Sequence, residues 1–244
     1  MIRTLWFYVV LFVSTMWHGS VAIVAGLLGV AYRPGGVYDW TPRNWSRWIL
    51  AAAGTPVVIV GLEQVPRDRA VVYASNHSSA FDIWALFATL PGSLRFVAKQ
   101  ELARVFVLGR AMAAGGQVFI DRSHAKHAQE AYELAAATMR RGISTIVFPE
   151  GTRSTSGEFL PFKTMPFGLA IAAQVPLVPV YVHNTFEIFP KGARRLRPRP
   201  IQIWVGAPID TTGTTLADRA ALRDRALAVI TAFRQRVDEA VTPD

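Results

Sequence analysis

From residue 57 to residue 205 the chain alternates between short apolar runs and stretches whose apolar residues recur at helical spacing. Runs rich in Val and Ile predict buried β-strands. The seven predicted strands are VVIV (57–60), AVVYAS (70–75), LRFVA (94–98), QVFI (117–120), STIVF (144–148), LVPVYV (177–182) and IQIWV (201–205). Because strands alternate with helices, the sequence predicts an α/β fold with a mainly parallel, mixed sheet flanked by helices.

Two helices and one unusual strand complete this prediction. Residues 123–141 have a helical pattern that ends before Gly142, a residue suited to a helix C-terminus. Residues 175–182 contain two prolines, which cannot donate ladder hydrogen bonds, so we expect an edge or irregular strand there. A C-terminal amphipathic helix is predicted from one apolar stripe: Leu222, Ala226, Ile230, Phe233 and Val237.

The N-terminal segment is unusually apolar, with no Asp, Glu, Lys or Arg between residues 5 and 32. As one helix it would be longer than the ~30 Å hydrocarbon core of a bilayer. A break at the polar, flexible residues 18–20 would instead give two short interfacial helices. A cleaved signal peptide fits less well, because the run is long and only Arg3 precedes it. We therefore predict a membrane anchor, spanning or interfacial.

The residues after this apolar segment set the predicted domain organisation and orientation. Residues 32–45 are rich in Pro and Gly and predict a connector of turns. Arg33, Arg43 and Arg47 place this side of the anchor in the cytoplasm by the positive-inside rule. We predict an anchor with connector helices over 1–54, an α/β domain over 55–244, and a location at the cytoplasmic face of the cell inner (plasma) membrane.

Charge and cysteine content narrow the classes of partner. The net charge of +9 favours anionic partners, and its combination with the apolar N-terminus favours membrane lipid over nucleic acid. The absence of cysteine excludes disulfides, Cys-ligated metals and a thiol nucleophile. The basic segment 191–200 is either a solvated loop or a docking site for anionic lipid or an acidic carrier protein.

Polar clusters follow three of the predicted strands, where ligands gather in α/β folds. In NHSSAFD (76–82), His77 in a loop and Asp82 in the first helical turn would form a general-base pair, although a helix cap is the commoner explanation for this motif alone. Asp121 and Arg122 follow the fourth strand, and Arg122 offers a planar donor set for phosphate. In FPEGTRS (148–154), Arg153 suits an anion, and Glu150 would orient Arg153 or hold a substrate hydroxyl.

These segments together resemble the glycerolipid acyltransferase family, whose members carry four blocks in this order: N-H-x4-D, G-x-x-F-I-D-R, F-P-E-G-T-R-S and a proline-rich V-P block. The resemblance covers about residues 57–210, and four ordered blocks are far more specific than one. The segment FVAKQEL (96–102) also resembles the family, which adds Lys99 as a phosphate contact. One departure is Met165, where the family commonly has Gly.

The resemblance implies transfer of a fatty acyl group from acyl-CoA or acyl carrier protein to a hydroxyl of 1-acylglycerol 3-phosphate, giving phosphatidic acid. It implies His77 as the general base oriented by Asp82, an oxyanion-stabilising N–H near Gly151, and no metal or cofactor beyond the acyl donor. The implied substrate-binding residues are Lys99, Arg122, Glu150, Gly151, Thr152 and Arg153.

Several alternatives remain open at this level. The acceptor could instead be glycerol 3-phosphate, a lyso-ornithine lipid or a glycolipid. Ser78 or Ser79 could form a covalent acyl-enzyme, or His77 could activate water in a hydrolase. The basic body could also be a non-catalytic module that binds anionic lipid.

Overall fold

The computed structural model describes residues 1–120 and 133–241. The strands are β1 Val57–Val60, β2 Val72–Ser75, β3 Leu94–Lys99, β4 Val118–Ile120, β5 Ser144–Val147, β6 Leu177–His183 and β7 Ile201–Val205. The helices are α1 Ile2–Leu27, α2 Val37–Ala53, α3 Phe81–Thr89, α4 Phe106–Ala114, α5 (133–139), α6 Met165–Ala173, α7 Thr185–Ile188 and α8 Arg219–Val241. Each of the seven predicted strands is confirmed.

The strands form one sheet in the order β1-β7-β6-β2-β5-β3-β4. The β6–β7 pairing is antiparallel and the other pairings are parallel, which confirms the mixed, mainly parallel sheet. Successive side chains of a strand point to opposite faces. In β2, Tyr73 therefore packs with α1, α2 and α3 on one face, while Val72 and Ala74 pack with α5, α6 and α8 on the other.

The expectation that residues 175–182 form an edge or irregular strand is wrong, because β6 lies inside the sheet between β7 and β2. Val72 N–H donates to the carbonyl of Pro176, so the even-numbered residues of β6 bond toward β2. Pro179 therefore points its nitrogen the other way, toward Gly206, where β7 has already ended. The missing N–H falls where the ladder requires no donor.

The N-terminal segment is one continuous helix and is not broken at residues 18–20. His18 Nδ1 lies 3.1 Å from Ser14 Oγ and 3.0 Å from the Ser14 carbonyl oxygen, so the polar side chain is bonded within the helix. Gly19 faces α4, where a Cβ would come within 2.5 Å of Val107 Cγ1. The glycine thus permits close helix packing rather than a break. By length and composition α1 is one helix, among the described residues, that could cross a membrane.

The predicted connector of turns is also shorter than expected. The chain turns only over residues 34–36, and α2 then begins at Val37 and contains Pro42. The interface between α2 and β3 includes an ion pair between Asp39 Oδ1 and Arg95 Nη1 at 2.9 Å, with both side chains buried. The remaining oxygen of Asp39 accepts from Ser93 Oγ at 2.6 Å. Since a buried charge is tolerated only when it is paired, these bonds fix α2 against the sheet.

The predicted apolar stripe of the C-terminal helix is confirmed in α8. Four residues of the stripe are buried against the sheet and α6: Leu222, Ala226, Ile230 and Val237. Phe233 is partly buried and packs against Trp204 of β7. In the described part of the predicted helix 123–141, residues 133–139 are helical, and Gly142 follows with φ +84°.

Candidate active site

A histidine and a carboxylate form the centre of the site at the carboxyl end of β2. His77 lies in the loop between β2 and α3, and Asp82 is the second residue of α3. His77 Nδ1 donates to Asp82 Oδ2 at 2.7 Å, and Asp82 is fully buried. The backbone N–H groups of Ser78 and Ser79 donate to the same oxygen, each at 2.8 Å. Three donors therefore converge on one carboxylate oxygen and fix its position.

The imidazole of His77 is held by a stacking contact on one ring face in addition to the hydrogen bond at Nδ1. Its ring stacks on Phe148 with a centroid distance of 3.9 Å and an interplanar angle of 14°. Because Nδ1 donates to Asp82, the neutral ring carries its lone pair on Nε2. Nε2 makes no hydrogen bond to any residue in 1–120 or 133–241 and remains available to accept a proton.

Neighbouring segments hold the His77 loop in place. Asn76, which is buried, bonds the backbone of β6 twice: its Nδ2 donates to Val182 O at 2.9 Å and its Oδ1 accepts from Val182 N at 2.8 Å. Ser154 N–H donates to His77 O at 2.8 Å, which joins the FPEGTRS loop to the His77 loop. The first and third sequence motifs are therefore in direct contact, since β2 and β5 are adjacent strands.

Glu150 bonds backbone groups with both of its oxygens. Oε1 accepts from His77 N at 2.6 Å and Oε2 accepts from Leu160 N at 2.8 Å, and the residue is 4% exposed. Burial raises the pKa of Glu150 to about 7, the charge of Asp82 acts in the same direction, and the two N–H donors act against it. The carboxylate is placed to orient the His77 loop.

The loop after Glu150 presents polar groups beside the histidine. Gly151 has φ +75°, a left-handed conformation that favours glycine, and the side chain of Lys163 packs against it. Gly151 N–H donates to Phe148 O at 3.0 Å. The next two N–H groups, of Thr152 and Arg153, make no hydrogen bond within the described residues.

A cavity of about 1240 Å³ opens beside His77. Its walls are apolar and come mainly from α1, α2, α3 and α4, including Leu11, Trp45, Trp84 and Leu108. Polar and charged residues also line it: His77, Lys99, Thr152, Arg153 and Lys191. The cavity thus combines mainly apolar walls with three cationic side chains and the His77 ring in one lining.

The structure brings most of the sequence-predicted residues to this cavity. His77, Lys99, Gly151, Thr152 and Arg153 line it. Lys99 Nζ is also 2.6 Å from Glu101 Oε1, with both side chains more than half exposed. Asp121 and Arg122 lie outside the described residues, so the role of Arg122 stays a prediction. Within the described part of the chain, no three His, Asp or Glu side chains gather closely enough to hold a metal ion.

Sequence reasoning missed two residues of the site. Thr185, the first residue of α7, donates its hydroxyl hydrogen bond to Asp82 Oδ1, and Lys191 lines the cavity from the loop after α7. Neither lies in a recognisable motif, and only the basic composition of residues 191–200 gave a signal for Lys191. Met165, the departure from the family pattern, begins α6 and lies outside the cavity lining.

The fold and this site define a class of protein, and comparison with known proteins agrees with it. The sequence matches the Acyltransferase family over residues 56–183, which is more than half of the chain and includes His77, Asp82 and the FPEGTRS loop. The chain therefore belongs to the acyltransferase family.

Individual relatives carry more specific names. The chain is 35% identical over 184 residues to 1-acyl-sn-glycerol-3-phosphate acyltransferase alpha of Homo sapiens, covering 75% of this chain and 65% of that protein. It is 31% identical over 211 residues to 1-acyl-sn-glycerol-3-phosphate acyltransferase of Limnanthes douglasii, covering 86% of this chain and 73% of the relative. The chain thus spans just under two thirds of the human protein.

A solved structure has the same fold. The 1-acyl-sn-glycerophosphate acyltransferase PlsC from Thermotoga maritima superimposes with a TM-score of 0.79 and 24% sequence identity. The match covers 96% of this chain and 95% of that one, so it includes the N-terminal helices as well as the sheet.

Proposed function

We propose that this protein is a membrane-associated O-acyltransferase. It moves a fatty acyl group from a thioester, acyl-CoA or acyl carrier protein, to the free hydroxyl of 1-acylglycerol 3-phosphate and so forms phosphatidic acid. The observation that carries the proposal is the His77–Asp82 pair at a cavity whose walls are mainly apolar and whose lining also includes Lys99, Arg153 and Lys191. The names of the relatives support the same acceptor.

The chemistry follows from the proton positions at His77. Nε2 accepts the proton of the acceptor hydroxyl while the hydroxyl oxygen forms a bond to the thioester carbonyl carbon. The negative charge that develops on the carbonyl oxygen suits the N–H groups of Thr152 and Arg153, which no described residue accepts. When the carbon–sulfur bond breaks, the imidazolium returns its proton to the departing thiolate. Asp82 stabilises the imidazolium during these steps.

The cationic residues of the cavity suit an acceptor that carries a phosphate. Arg153 presents a planar donor set beside the loop N–H groups, and Lys99 and Lys191 add point charges to the same cavity. The apolar walls suit an acyl chain, because each buried methylene stabilises binding by about 0.8 kcal/mol. We extend the phosphate-binding role to Arg122 on the family resemblance alone.

The serines beside His77 support direct transfer over an acyl-enzyme. Ser79 Oγ donates to Phe189 O at 2.7 Å. Ser78 Oγ lies 3.0 Å from Thr185 Oγ1. A serine nucleophile must give its proton to the base. Neither hydroxyl bonds His77 in the described structure, so the acceptor hydroxyl is the better-placed nucleophile.

The outer face of α1 supports membrane association. Large apolar side chains are exposed along this helix, namely Leu5, Trp6, Val9, Phe12, Val13, Trp17, Val24 and Leu27. A soluble monomer rarely exposes so large an apolar patch. Trp40 and Trp48 of α2 are also exposed and suit the interfacial zone.

We further propose that α1 lies in the membrane interface rather than across the bilayer. Near its start, Phe7 packs on Phe81 at a ring distance of 5.7 Å, and near its end Gly26 lies against Ala114 of α4. A helix attached to the α/β body at both ends cannot extend away from it into the opposite leaflet. The arginines that follow α1 suit the anionic lipids of the cytoplasmic leaflet and so support the cytoplasmic face of the inner (plasma) membrane.

The test compares purified wild-type protein with His77→Ala in detergent micelles. Each receives acyl-CoA or acyl-loaded carrier protein with 1-acylglycerol 3-phosphate, and phosphatidic acid is measured. We expect product from the wild type and a fall in kcat of about 10²–10⁴-fold in the variant. His183→Ala, which removes a histidine outside the cavity lining, is the matched control and should retain activity.

Other outcomes separate the alternatives. Acylation of glycerol 3-phosphate, a lyso-ornithine lipid or a glycolipid in place of 1-acylglycerol 3-phosphate would change the acceptor but keep the chemistry. Loss of thioester without any acylated lipid would indicate a hydrolase. Full activity in a folded His77→Ala protein would refute the proposed base, and binding of anionic lipid without any turnover by the wild type would indicate a non-catalytic module.

A further inference from the structure

The two oxygens of Asp82 have very different surroundings. Oδ2 accepts three hydrogen bonds, from His77 Nδ1 and from the N–H groups of Ser78 and Ser79. Within the described residues, Oδ1 accepts one, from the hydroxyl of Thr185. Because Asp82 is 0% exposed, water does not replace that donor. One hydroxyl therefore determines whether this oxygen is satisfied.

Thr185 comes from a part of the chain that carries no acyltransferase motif. The family match ends at residue 183, where β6 also ends. Asn184 follows with φ +71°, and this turn brings Thr185, which is 1% exposed, under the start of α3. The contact is long-range, since Thr185 and Asp82 are 103 residues apart.

The direction of the hydrogen bonds follows from the carboxylate. Ionised Asp82 only accepts, so the Thr185 hydroxyl must donate to it. The Thr185 oxygen is then an acceptor for Ser78, whose Oγ lies 3.0 Å away. The resulting chain runs from Ser78 to Thr185 to Asp82 and assigns each hydroxyl proton to one acceptor.

We propose that Thr185 is a positioning residue for the His77–Asp82 pair, fixing the carboxylate so that its other oxygen holds His77 Nδ1 in the reactive orientation. The inference rests on the proposed function, because it assigns Thr185 a role in the same acyl transfer. Thr185 does not line the cavity and acts through Asp82 rather than on substrate.

Loss of the hydroxyl has a defined physical consequence. A buried carboxylate oxygen without a donor is costly, so the Asp82 side chain would turn to share its remaining donors. This rotation moves Oδ2 relative to the imidazole, and hence moves Nε2 relative to the acceptor hydroxyl. Substrate contacts in the cavity are unaffected, so the change should appear in kcat and not in KM.

The experiment uses the full-length protein in micelles and three variants. Thr185→Val keeps the branched shape and removes the hydroxyl, and Thr185→Ser keeps the hydroxyl and removes the methyl group. Thr211→Val is the matched control, because Thr211 is 0% exposed and its hydroxyl donates to Val175 O at 2.8 Å away from the site. Phosphatidic acid formation, acyl-thioester hydrolysis and thermal unfolding are measured for each protein.

We expect kcat of Thr185→Val to fall about 10- to 100-fold, as for loss of a hydrogen bond to a charged group, with both KM values within about twofold of wild type. Thr185→Ser should stay within about threefold of wild-type kcat. Thr211→Val should lose thermal stability but keep kcat. If Thr185→Val does not fold, Thr185→Ala, which is smaller, takes its place.

Three results would overturn the inference: wild-type kcat in Thr185→Val, an equal loss of kcat in Thr185→Val and Thr211→Val, or a Thr185→Ser variant as impaired as Thr185→Val. Failure of the proposed function looks different, because the wild type itself would then form no acylated lipid. In that case the rate of thioester hydrolysis is compared between wild type and Thr185→Val, because water would then be the nucleophile that the His77–Asp82 pair activates. A slower rate in Thr185→Val would support the positioning role, and an equal rate would contradict it.

Discussion

Glu150 gives a stability prediction whose size follows from its burial. The folded protein holds this carboxyl with a pKa of about 7, against 4.5 for an ordinary glutamate. Between these values the native state keeps a proton that the unfolded chain has released. The free energy of unfolding must therefore fall as pH rises through this window. The full shift corresponds to about 3 kcal/mol at 1.36 kcal/mol per pKa unit.

The variant Glu150→Gln removes the titration and leaves the side-chain shape. At pH 5 the protonated wild-type carboxyl can still accept from both His77 N–H and Leu160 N–H, since its hydroxyl oxygen remains an acceptor. The amide NH2 of the variant cannot accept, so the variant should be less stable than wild type at pH 5. As pH rises to 8, wild type alone loses the proton-linked stability. The stability gap between the two proteins should then narrow by about 2.5 kcal/mol.

The assay is urea unfolding in micelles, followed by circular dichroism at pH 5 and pH 8. Glu158→Gln is the control, because Glu158 is exposed and its hydrogen bond to Arg234 lowers its pKa. Glu158 titrates below the tested range. The difference in free energy of unfolding between Glu158→Gln and wild type should therefore be the same at both pH values. A Glu150→Gln gap that is constant within about 0.5 kcal/mol would mean that the backbone donors already offset burial, and the reasoning would be wrong.

Three further predictions concern the nucleophile, the acyl chain and the membrane. The double variant of Ser78 and Ser79 to Ala should keep kcat within about tenfold if acyl transfer is direct, and abolished turnover in a folded protein would indicate an acyl-enzyme. Ala111→Phe, in the cavity wall, should favour shorter acyl chains, with KM rising about fourfold for each methylene that no longer fits, as measured with a series of acyl thioesters. Three arginines of the loop after α7 are exposed: Arg194, Arg195 and Arg197. Neutralising all three should weaken binding to anionic vesicles, measured by sedimentation at low salt, about 100-fold, since each contributes about 1 kcal/mol near such a surface. A raised KM for the acyl donor with unchanged sedimentation would instead indicate carrier-protein docking.

The sequence was sufficient to locate the strands and to bring His77, Asp82 and the FPEGTRS loop to one edge of the sheet. Strand runs have a local signal, and the carboxyl ends of parallel strands meet at one edge. On a regular helix His77 and Asp82 would not share a face. Their contact could still be inferred, because His77 was expected in the loop before the helix and Asp82 in its first turn.

Local rules failed where a tertiary neighbour changed their meaning. Pro179 was expected in an edge or irregular strand, but its nitrogen points to the end of β7, where a central strand needs no donor. The polar residues at 18–20 were open to reading as a break, but Ser14 bonds His18 and α4 packs closely on Gly19. In each case the deciding partner lies on another turn or another element.

The α/β fold class, the order of the four motifs and the chemistry available at the strand ends could all be inferred from the sequence, because they depend on residue type and short-range spacing. Two features of the site became visible only in the folded protein: α1 and α4 help to form an apolar cavity at His77, and Thr185 donates to Asp82. Those features depend on contacts between segments a hundred residues apart or on different faces of helices. Such contacts leave no periodic pattern in the chain. A single threonine hydroxyl can bond the local backbone or a distant side chain, and the sequence does not show which partner it meets.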